Sequence, residues 1–289
     1  MPSPDEANIA RIIAMRLGCG DKVPAFTVMR NCASGMQSVD TAARNIALGR
    51  SHLVLAGGTE AMSRAPVLFD LAMVSWLSQW MSAKKIAQKA QVLARFKPNY
   101  LMPIFGLLRG LSDPLIGMNM GQTAEQLAYD FQIDRNSMDQ FALDSHLKLA
   151  KAYDSQLMTE IVPIMDTKGQ VYSRDTGLRA DVTLEALAKL KPVFDKYGMV
   201  TPGNSSQVSD GACLMLLASE HMVKKWNLPI LGKVVDTQWS ALEPVNMGLG
   251  PVHAITTLME RQDLNFGLID VMEINEAFAS QVLACLAAW

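Results

Sequence analysis

The sequence predicts an α/β protein in which sheets are covered by helices. Helical and extended segments alternate over residues 1–65, and that alternation is typical of a mostly parallel sheet. A chain of 289 residues that is 49% hydrophobic and 19% charged can form one large core or two ordinary ones. With a net charge of -2, it is a poor candidate for disorder or for general binding to nucleic acid.

The first elements are predicted from the spacing of apolar residues. Helices are expected at residues 7–17 and 36–48, and strands at 25–29 and 53–56. Gly49 follows the second helix directly, at the place where a left-handed residue commonly ends a helix.

The composition changes between residues 66 and 116, which we predict to be an insertion. This segment holds six Lys or Arg residues against two Asp, and Trp76 and Trp80 lie one helical turn apart. A basic amphipathic helix with tryptophan can lie on a membrane surface or pack on a partner. A solvated helical hairpin with its apolar face inward explains the same pattern.

After the insertion, the chain is predicted to return to the sheet and to begin a second α/β unit. Thr123 and Gln126 form a capping-box pattern, and Asp134 is placed to cap the following helix. A helix is expected at 183–190, a strand buried on both faces at 212–217, and then strand, helix, strand and helix at 230–237, 253–261, 268–274 and 277–287. The predicted domains are an N-terminal core at 1–65, a loop subdomain at 66–202, a return to the core at 203–222 and the start of a C-terminal half at 223–289.

The cysteines and histidines do not form a metal-binding pattern. Neither residue type is clustered, and no Cys-x-x-Cys occurs, so neither a metal site nor a disulfide is expected. Gly248-Leu-Gly250 lacks the third glycine of a dinucleotide-binding loop. No apolar run reaches the ~18 residues of a membrane-spanning helix, and the first residues lack a signal-peptide pattern. We therefore expect a reducing, intracellular setting.

Two predicted turns between a strand and a helix carry candidates for chemistry. Cys32 lies at the first turn, where helix amides favour a thiolate and can lower a thiol pKa from ~8.5. Gly35 would let a substrate approach the backbone closely. Asn275 and Glu276 lie at the equivalent turn of the second unit. Asn275 is placed to cap the helix there, and its amide could equally orient a water or donate to a developing oxyanion. For Cys32, a small buried side chain is the alternative interpretation.

Five ordered motifs resemble the thiolase family. They are Asn-Cys-Ala-Ser-Gly at 31–35, Ala-Gly-Gly-Thr-Glu-Ala-Met-Ser at 56–63, Met-Gly-Gln-Thr-Ala-Glu at 120–125, a segment at 201–212 that begins Thr-Pro-Gly-Asn-Ser-Ser and ends Ser-Asp-Gly-Ala, and Asn-Glu-Ala-Phe at 275–278. The resemblance extends from near residue 8 to the last residue. It implies the thiolase fold, with layered mixed sheets covered by helices and a helical loop subdomain inserted in the N-terminal half.

The resemblance also implies roles for individual residues. Cys32 would take the acyl group from a 3-oxoacyl-CoA in fatty-acid β-oxidation and pass it to a second CoA, with Claisen condensation as the reverse reaction. Asn275 would hold a water of an oxyanion hole beside the thioester oxygen, and Glu276 would support the loop. The positions that match the family's CoA and acyl pocket are Met120, Arg179, Phe194, Ser206 and Phe278. CoA is then a substrate, and no further cofactor or metal is implied. Four of these residues also fit ordinary structural roles, Arg179 as a surface charge, Ser206 as a turn residue, and Met120 and Phe278 as core residues.

The sequence departs from the family pattern at several places. It contains no Gly-His-Pro segment, whose histidine activates the nucleophile, and no Cys-x-Gly-Gly segment, whose cysteine exchanges the substrate's α proton. The family's N-terminal strands are also lacking, so we expect a partial chain, inactive by itself, of an active enzyme. Asn119 stands where short-chain biosynthetic thiolases often have histidine. With the basic insertion, this resembles the thiolase subunits of fatty-acid oxidation complexes and favours medium or long acyl chains over acetoacetyl-CoA.

Two other functions stay open on the sequence alone. One is a non-catalytic protein that binds CoA or lipid, and the other is a condensing enzyme of the ketoacyl synthase group, against which the motif at 275–278 argues. The expected partners are CoA and acyl-CoA, further copies in a dimer or tetramer, a fatty-acid oxidation complex, and a membrane surface through residues 66–116, with no nucleic acid. The expected location is the cytoplasm, with the inner membrane surface as the alternative.

Overall fold

The computed structural model describes residues 6–289, which divide into two compact units. Unit 1 comprises the residues up to 111 together with 208–237, and unit 2 comprises 112–207 together with 238–289. Each unit is therefore built from two separate stretches of the chain. The domain boundaries predicted from the sequence remain a prediction, since compact units and the domains of a family need not coincide.

Helices account for most of the regular structure in residues 6–289. In chain order they are α1 (Ile9–Arg16), α2 (Ser34–Ala47), α3 (Leu71–Ser82), α4 (Ile86–Ala94), α5 (Gly106–Gly110), α6 (Met120–Asp130), α7 (Arg135–Asp154), α8 (Leu184–Ala188), α9 (Glu220–Trp226), α10 (Gly250–Gln262) and α11 (Ala279–Ala288). The strands are β1 (Leu53–Ala61), β2 (Val67–Leu68), β3 (Ile104–Phe105), β4 (Ile164–Met165), β5 (Val171–Tyr172) and β6 (Asp210–Ala218). Short 3-10 turns lie at Met62–Arg64, Pro98–Leu101, Pro244–Leu249 and Phe266–Leu268.

The core of unit 1 is formed by α2 packed on the antiparallel pair β1 and β6. Ala42 of α2, Ala56 of β1 and Leu217 of β6 are buried together. The sheet needs glycine at its centre, because a Cβ on Gly57 would lie 2.0 Å from the carbonyl oxygen of Cys213. A Cβ on Gly58 would lie 3.2 Å from the Cα of Gly35, so α2 approaches β1 closely near its first turn.

The core of unit 2 is formed by α6, α7 and α11. Leu127 and Met138 are almost fully buried against Ala284, with Val200 completing the cluster. A hydrogen bond joins α11 to α6 in this core, because the buried Ser280 hydroxyl donates to the carbonyl of Ala124 at 3.0 Å. This packing holds the 199–206 segment between α6, α7 and the start of α11.

Several helix predictions are confirmed with small changes at the ends. Predicted helices at 7–17 and 36–48 correspond to α1 and α2, and Gly49 has φ 68°, the left-handed conformation expected after a helix. Asp134 caps α7, since its Oδ1 accepts from the Ser137 amide at 2.7 Å. The predicted capping box at Thr123 is wrong.

The capping box of α6 is instead formed by Asn119 and Gln122, four residues earlier than predicted. Asn119 Oδ1 accepts from the Gln122 amide at 3.0 Å, and Gln122 Oε1 accepts from the Asn119 amide at 2.9 Å. Thr123 therefore lies inside the helix, where its hydroxyl donates to the carbonyl of Met120. Thr123 is almost fully buried within α6 and does not cap it.

The strand predictions are corrected in three respects. The principal pair, β1 and β6, is antiparallel rather than parallel. Residues 25–29, 230–237 and 268–274 form no strand, because the ladders within 6–289 join only β1 to β6, β2 to β3 and β4 to β5. An apolar segment becomes a strand only where another segment pairs with its backbone. The strand predicted at 212–217 exists, but most of its side chains are exposed rather than buried on both faces.

Candidate functional site

Cys32 is exposed in the turn that leads into α2. The turn is held by its neighbours: the Ser34 hydroxyl accepts from the Arg30 amide at 2.9 Å and donates to the carbonyl of Asn31 at 2.9 Å. Asn31 has φ 42°, and the turn therefore includes a left-handed residue directly before the cysteine. The helix begins at Ser34, so Cys32 lies two residues before its first turn. The alternative in which Cys32 is a buried side chain is wrong.

Two of the sequence motifs meet at the end of the β1 and β6 pair. The Asp210 carboxylate accepts from the Ser63 amide at 2.9 Å and from the Ser63 hydroxyl at 2.5 Å. The Ser63 hydrogen bonds hold the pKa of Asp210 below its ordinary value. This contact joins the segment at 56–63 to the segment at 201–212, and it gives both a structural role within unit 1.

Unit 2 brings together four of the five residues predicted to bind CoA or the acyl chain. The rings of Phe194 and Phe278 meet edge to face, with centroids 5.9 Å apart. Phe194 also lies against the backbone of α6 next to Met120, because a Cβ on Gly121 would lie 2.1 Å from the Phe194 ring. The Ser206 amide donates to the carbonyl of Ala277 at 2.9 Å, beside Phe278.

The fifth predicted residue, Arg179, is connected to Glu276 through consecutive residues of α7. The Ser145 hydroxyl donates to Glu276 Oε2 at 2.6 Å. The next residue, His146, accepts at Nδ1 from the Arg179 amide at 3.3 Å. One stretch of α7 therefore contacts both segments. The Arg179 guanidinium itself is exposed, as expected of a group that binds an anion at a surface.

Asn275 does not cap the helix that follows it, contrary to the prediction. The N-cap of α11 is Phe278, in extended conformation with φ -146° and ψ 139°. Residues around Phe278 are held extended because the Ala279 amide donates to the carbonyl of Asn204 at 3.0 Å, and because Phe278 pairs with Ser205. The side chain of Asn275 is exposed, and its carbonyl accepts from the Ala277 amide at 3.0 Å.

The sequence did not single out Ser145 or Asn204, although both position the predicted site. Asn204 is buried, and its side-chain amide donates to Asp139 Oδ1 at 2.9 Å while its Oδ1 accepts from the Thr201 amide at 2.8 Å. Asn204 does lie within the motif at 201–212 that resembles the thiolase family, and this motif was the signal in the sequence that could have identified it. For Ser145 no local signal exists, because its partner Glu276 is 131 residues away in sequence.

Within residues 6–289, no three His, Cys, Asp or Glu side chains are grouped as metal ligands. Over the same range, no helix has both the length and the apolarity that crossing a membrane requires.

An exposed thiol in the turn before α2 of unit 1, and an aromatic pair together with an Asn-Glu turn in unit 2, are groups that fit an acyl-transfer class of protein. Comparison with known families makes this specific. Residues 2–221 match the family model described as thiolase, N-terminal domain, and residues 228–289 match the model described as thiolase, C-terminal domain. The chain belongs to the thiolase family, and it is an acyltransferase of the thiolytic type.

Individual relatives agree with this assignment. The β-ketoadipyl-CoA thiolase of Pseudomonas aeruginosa is 40% identical over 286 residues, which cover 98% of this chain and 68% of the relative. The mitochondrial trifunctional enzyme subunit β of Bos taurus is 35% identical, over 98% of this chain and 59% of the relative. The crystal structure of human mitochondrial 3-ketoacyl-CoA thiolase in complex with CoA aligns with a TM-score of 0.84 at 35% identity, over 98% of this chain and 67% of the other. The predicted thiolase fold is confirmed.

Proposed function

We propose that Cys32 is the acyl-accepting nucleophile of this thiolase and that the Phe194 and Phe278 region of unit 2 binds CoA and the acyl chain. The exposure of the Cys32 side chain at the turn before α2 carries the first half of this proposal. A nucleophile must be reachable by a thioester, and a buried thiol would not be.

The reaction divides into two acyl transfers. The Cys32 thiolate attacks the 3-oxo carbon of a 3-oxoacyl-CoA, and the bond between carbons 2 and 3 breaks. The electron pair leaves on carbon 2 as the enolate of acetyl-CoA, which then takes up a proton. A second CoA thiolate attacks the acyl-Cys32 thioester and releases the shortened acyl-CoA with the cysteine restored. By resemblance, the proton transfers belong to the Gly-His-Pro and Cys-x-Gly-Gly segments, neither of which occurs in residues 1–289.

Asn275 is proposed to act on the oxygen that becomes negatively charged in these steps, and Glu276 is proposed to hold the turn that carries Asn275. An exposed amide side chain at Asn275 can orient a water that donates to that oxygen. Glu276 is fixed by the Ser145 hydroxyl at 2.6 Å, which limits the motion of the adjacent Asn275 backbone. Glu276 is thus a positioning residue in this proposal rather than a proton carrier.

The CoA pocket is proposed to run between Arg179 and the aromatic pair. The exposed Arg179 guanidinium suits a phosphate at the nucleotide end of CoA, and Ser206 is exposed where a pantetheine amide could bond. Phe194 and Phe278 offer apolar faces to the acyl end, beside Met120. A preference for medium or long 3-oxoacyl chains over acetoacetyl-CoA is part of this proposal, because Asn119 stands where short-chain biosynthetic thiolases often have histidine.

The cellular role follows from this substrate class. We infer a place in fatty-acid β-oxidation in the cytoplasm, as a homodimer or tetramer, with a fatty-acid oxidation complex as the larger partner. Apolar side chains exposed on both β1 and β6 of unit 1 support assembly with further protein. Sedimentation velocity of the purified protein tests the oligomer directly.

Acyl-enzyme trapping tests the nucleophile. Protein expressed from the complete gene is incubated with an acyl-CoA and digested, and acylated cysteine peptides are identified by mass spectrometry. We expect an adduct on Cys32 that Cys32→Ala removes, whereas Cys213→Ala, which changes another exposed cysteine, retains it. An adduct that persists without Cys32 would reject the assignment. Binding of CoA by calorimetry without any adduct would favour the non-catalytic alternative.

A further inference from the structure

The turn that carries Cys32 is joined to the interior of unit 1 by a chain of side-chain hydrogen bonds. Arg30 lies two residues before Cys32, and its Nε donates to Gln37 Oε1 at 2.8 Å. Gln37 Nε2 in turn donates to Asp40 Oδ2 at 3.2 Å. Arg30 is exposed, whereas Asp40 is only 4% exposed. The chain therefore extends from the surface turn that holds the thiol to a buried carboxylate in the second turn of α2.

The orientation of the Gln37 amide is fixed by its partners. Its Nε2 also donates to Thr41 Oγ1 at 3.1 Å, because the Thr41 hydroxyl spends its own hydrogen on the carbonyl of Gln37 at 2.8 Å. A carboxylate can only accept hydrogen bonds, and a guanidinium can only donate them. A rotated amide would place its oxygen against the Asp40 carboxylate and its NH2 group against Arg30. The chain therefore has one direction, from the Arg30 cation to the Asp40 anion.

Asp40 is held from its other side, so it can anchor this chain. Its Oδ1 accepts from Arg44 Nε at 2.7 Å and from the hydroxyl of Thr237. Thr237 is 197 residues away in sequence and belongs to unit 1, as α2 does. Because both of these donors bind Oδ1, Oδ2 is directed at Gln37. Hydrogen bonds to both carboxylate oxygens hold the Asp40 side chain in one position.

At the other end of the chain, the backbone of Arg30 forms part of the turn. The Arg30 amide donates to the Ser34 hydroxyl at 2.9 Å, and the Arg30 carbonyl accepts from the Ala33 amide at 2.9 Å. Between them, Asn31 has φ 42°, a conformation that is uncommon for a residue other than glycine and needs support from its surroundings. A side chain that fixes Arg30 therefore limits the motion of Cys32, which the same two hydrogen bonds enclose.

We propose that Arg30, Gln37 and Asp40 are positioning residues that hold the Cys32 turn in the conformation required for acyl transfer. This inference rests on the proposed role of Cys32 as the nucleophile, and it gives none of the three residues a contact with substrate. A displacement of a reacting group by about 1 Å can lower a rate roughly 100-fold. If the same hydrogen bonds served only to stabilise α2, their loss would not change the reaction of Cys32.

Asp40→Asn tests the direction of the chain. The oxygen of the introduced amide should stay at the Oδ1 position, because Arg44 can only donate. The introduced NH2 group then faces Gln37 Nε2, so the Gln37 amide must rotate and lose its bond to Arg30. In protein expressed from the complete gene, the rate of Cys32 acylation by an acyl-CoA should fall at least about tenfold. Gln37→Leu should have the same effect, and the double variant should lose no more, because the chain is already broken.

A rescue variant separates positioning from a loss of stability. Gln37→Glu combined with Asp40→Asn moves the carboxylate from position 40 to position 37, where Arg30 and the introduced amide can both donate to it. Its acylation rate should return to within about threefold of the wild type, whereas Gln37→Glu alone places two carboxylates together and should not recover. In steady-state assays, kcat should fall and recover while KM for CoA stays constant, because the residues proposed to bind CoA all lie in unit 2.

Two controls accompany these variants. Gln126→Leu is the matched control, because the half-buried Gln126 also donates from a helix to a carboxylate, that of Asp130 at 2.8 Å, and it should leave the acylation rate unchanged. Alkylation of Cys213 by iodoacetamide in the same samples reports on the fold, because Cys213 is another exposed cysteine of unit 1. The rate of Cys213 alkylation should be the same in all variants.

Three outcomes would overturn this inference alone: wild-type acylation in Asp40→Asn, an equal loss in Gln126→Leu, or no recovery in the rescue variant. A wild-type protein that is never acylated on Cys32 would instead overturn the proposed nucleophile together with this inference.

Discussion

The buried amide of Asn204 offers the sharpest test of how unit 2 holds the predicted site. Asn204→Ala removes the donor to Asp139 and the acceptor of the Thr201 amide, and both partners are almost fully buried. A buried donor without a partner costs roughly 1–3 kcal/mol, and a lost hydrogen bond to a carboxylate costs roughly 1.5–3 kcal/mol. The expected loss in the free energy of unfolding is therefore about 4 kcal/mol.

Urea unfolding followed by far-UV circular dichroism measures this loss. With a urea dependence of about 2 kcal/mol per molar, the midpoint of the transition that involves unit 2 should fall by ~2 M. Gln140→Ala is the matched control, because Gln140 also donates an amide hydrogen to a carboxylate, that of Asp144, at 2.8 Å on the exposed face of α7. The control should change stability by less than about 0.5 kcal/mol. Equal effects of the two substitutions would refute the argument that burial makes the Asn204 bonds costly to lose.

Three further predictions concern unit 2. Gly121→Ala places a Cβ 2.1 Å from the Phe194 ring, so we expect a loss of ~1–3 kcal/mol in stability together with weaker CoA binding by calorimetry, and an unchanged affinity would remove Phe194 from the pocket. The Ser137 amide holds the pKa of Asp134 below its ordinary value of 3.8. The Asp134 carboxylate therefore contributes to stability at pH values above 3.8, and this contribution is lost as the pH falls through the lower pKa of the folded state. Asp134→Asn should keep the cap and flatten the acid dependence of α7 helicity in circular dichroism, and an unchanged acid midpoint would contradict this. Burial raises the pKa of the Cys285 thiol, so iodoacetamide should modify the exposed cysteines well before it, and early labelling of Cys285 would show that its site opens readily.

The elements that local pattern controls were predictable. The end of α2 at a left-handed Gly49 and the cap of α7 by Asp134 depend on residues within four positions of each other. The strand predictions at 25–29, 230–237 and 268–274 are wrong. An apolar run indicates only that burial of its side chains is favourable, and it does not indicate which backbone segment pairs with it. The same reason explains why the antiparallel pairing of β1 with β6 was not predicted.

The candidate site also has parts that were predictable from the sequence and parts that were not. Motif residues such as Cys32, Phe278 and Ser206 were identified from their order and spacing, and the family they indicate is confirmed. The position of the α11 cap was not predictable, since the extended conformation of Phe278 depends on hydrogen bonds to the 204–206 segment. The start of α11 therefore depends on a segment far away in the sequence, because its N-cap residue Phe278 pairs with Ser205.

The sequence alone determined the family, the end of α2 at Gly49, the cap of α7 at Asp134 and the identity of the proposed nucleophile, because these depend on residue type and on spacing over a few positions. Only the tertiary structure decided that Ser145 binds Glu276 and that Asn204 links Asp139 to Thr201. Hydrogen bonds of this kind need a donor and an acceptor within about 3 Å, whereas the residues that supply them are separated by many residues of chain. Packing of α6, α7 and α11 brings these groups to that distance, and no short segment contains the information.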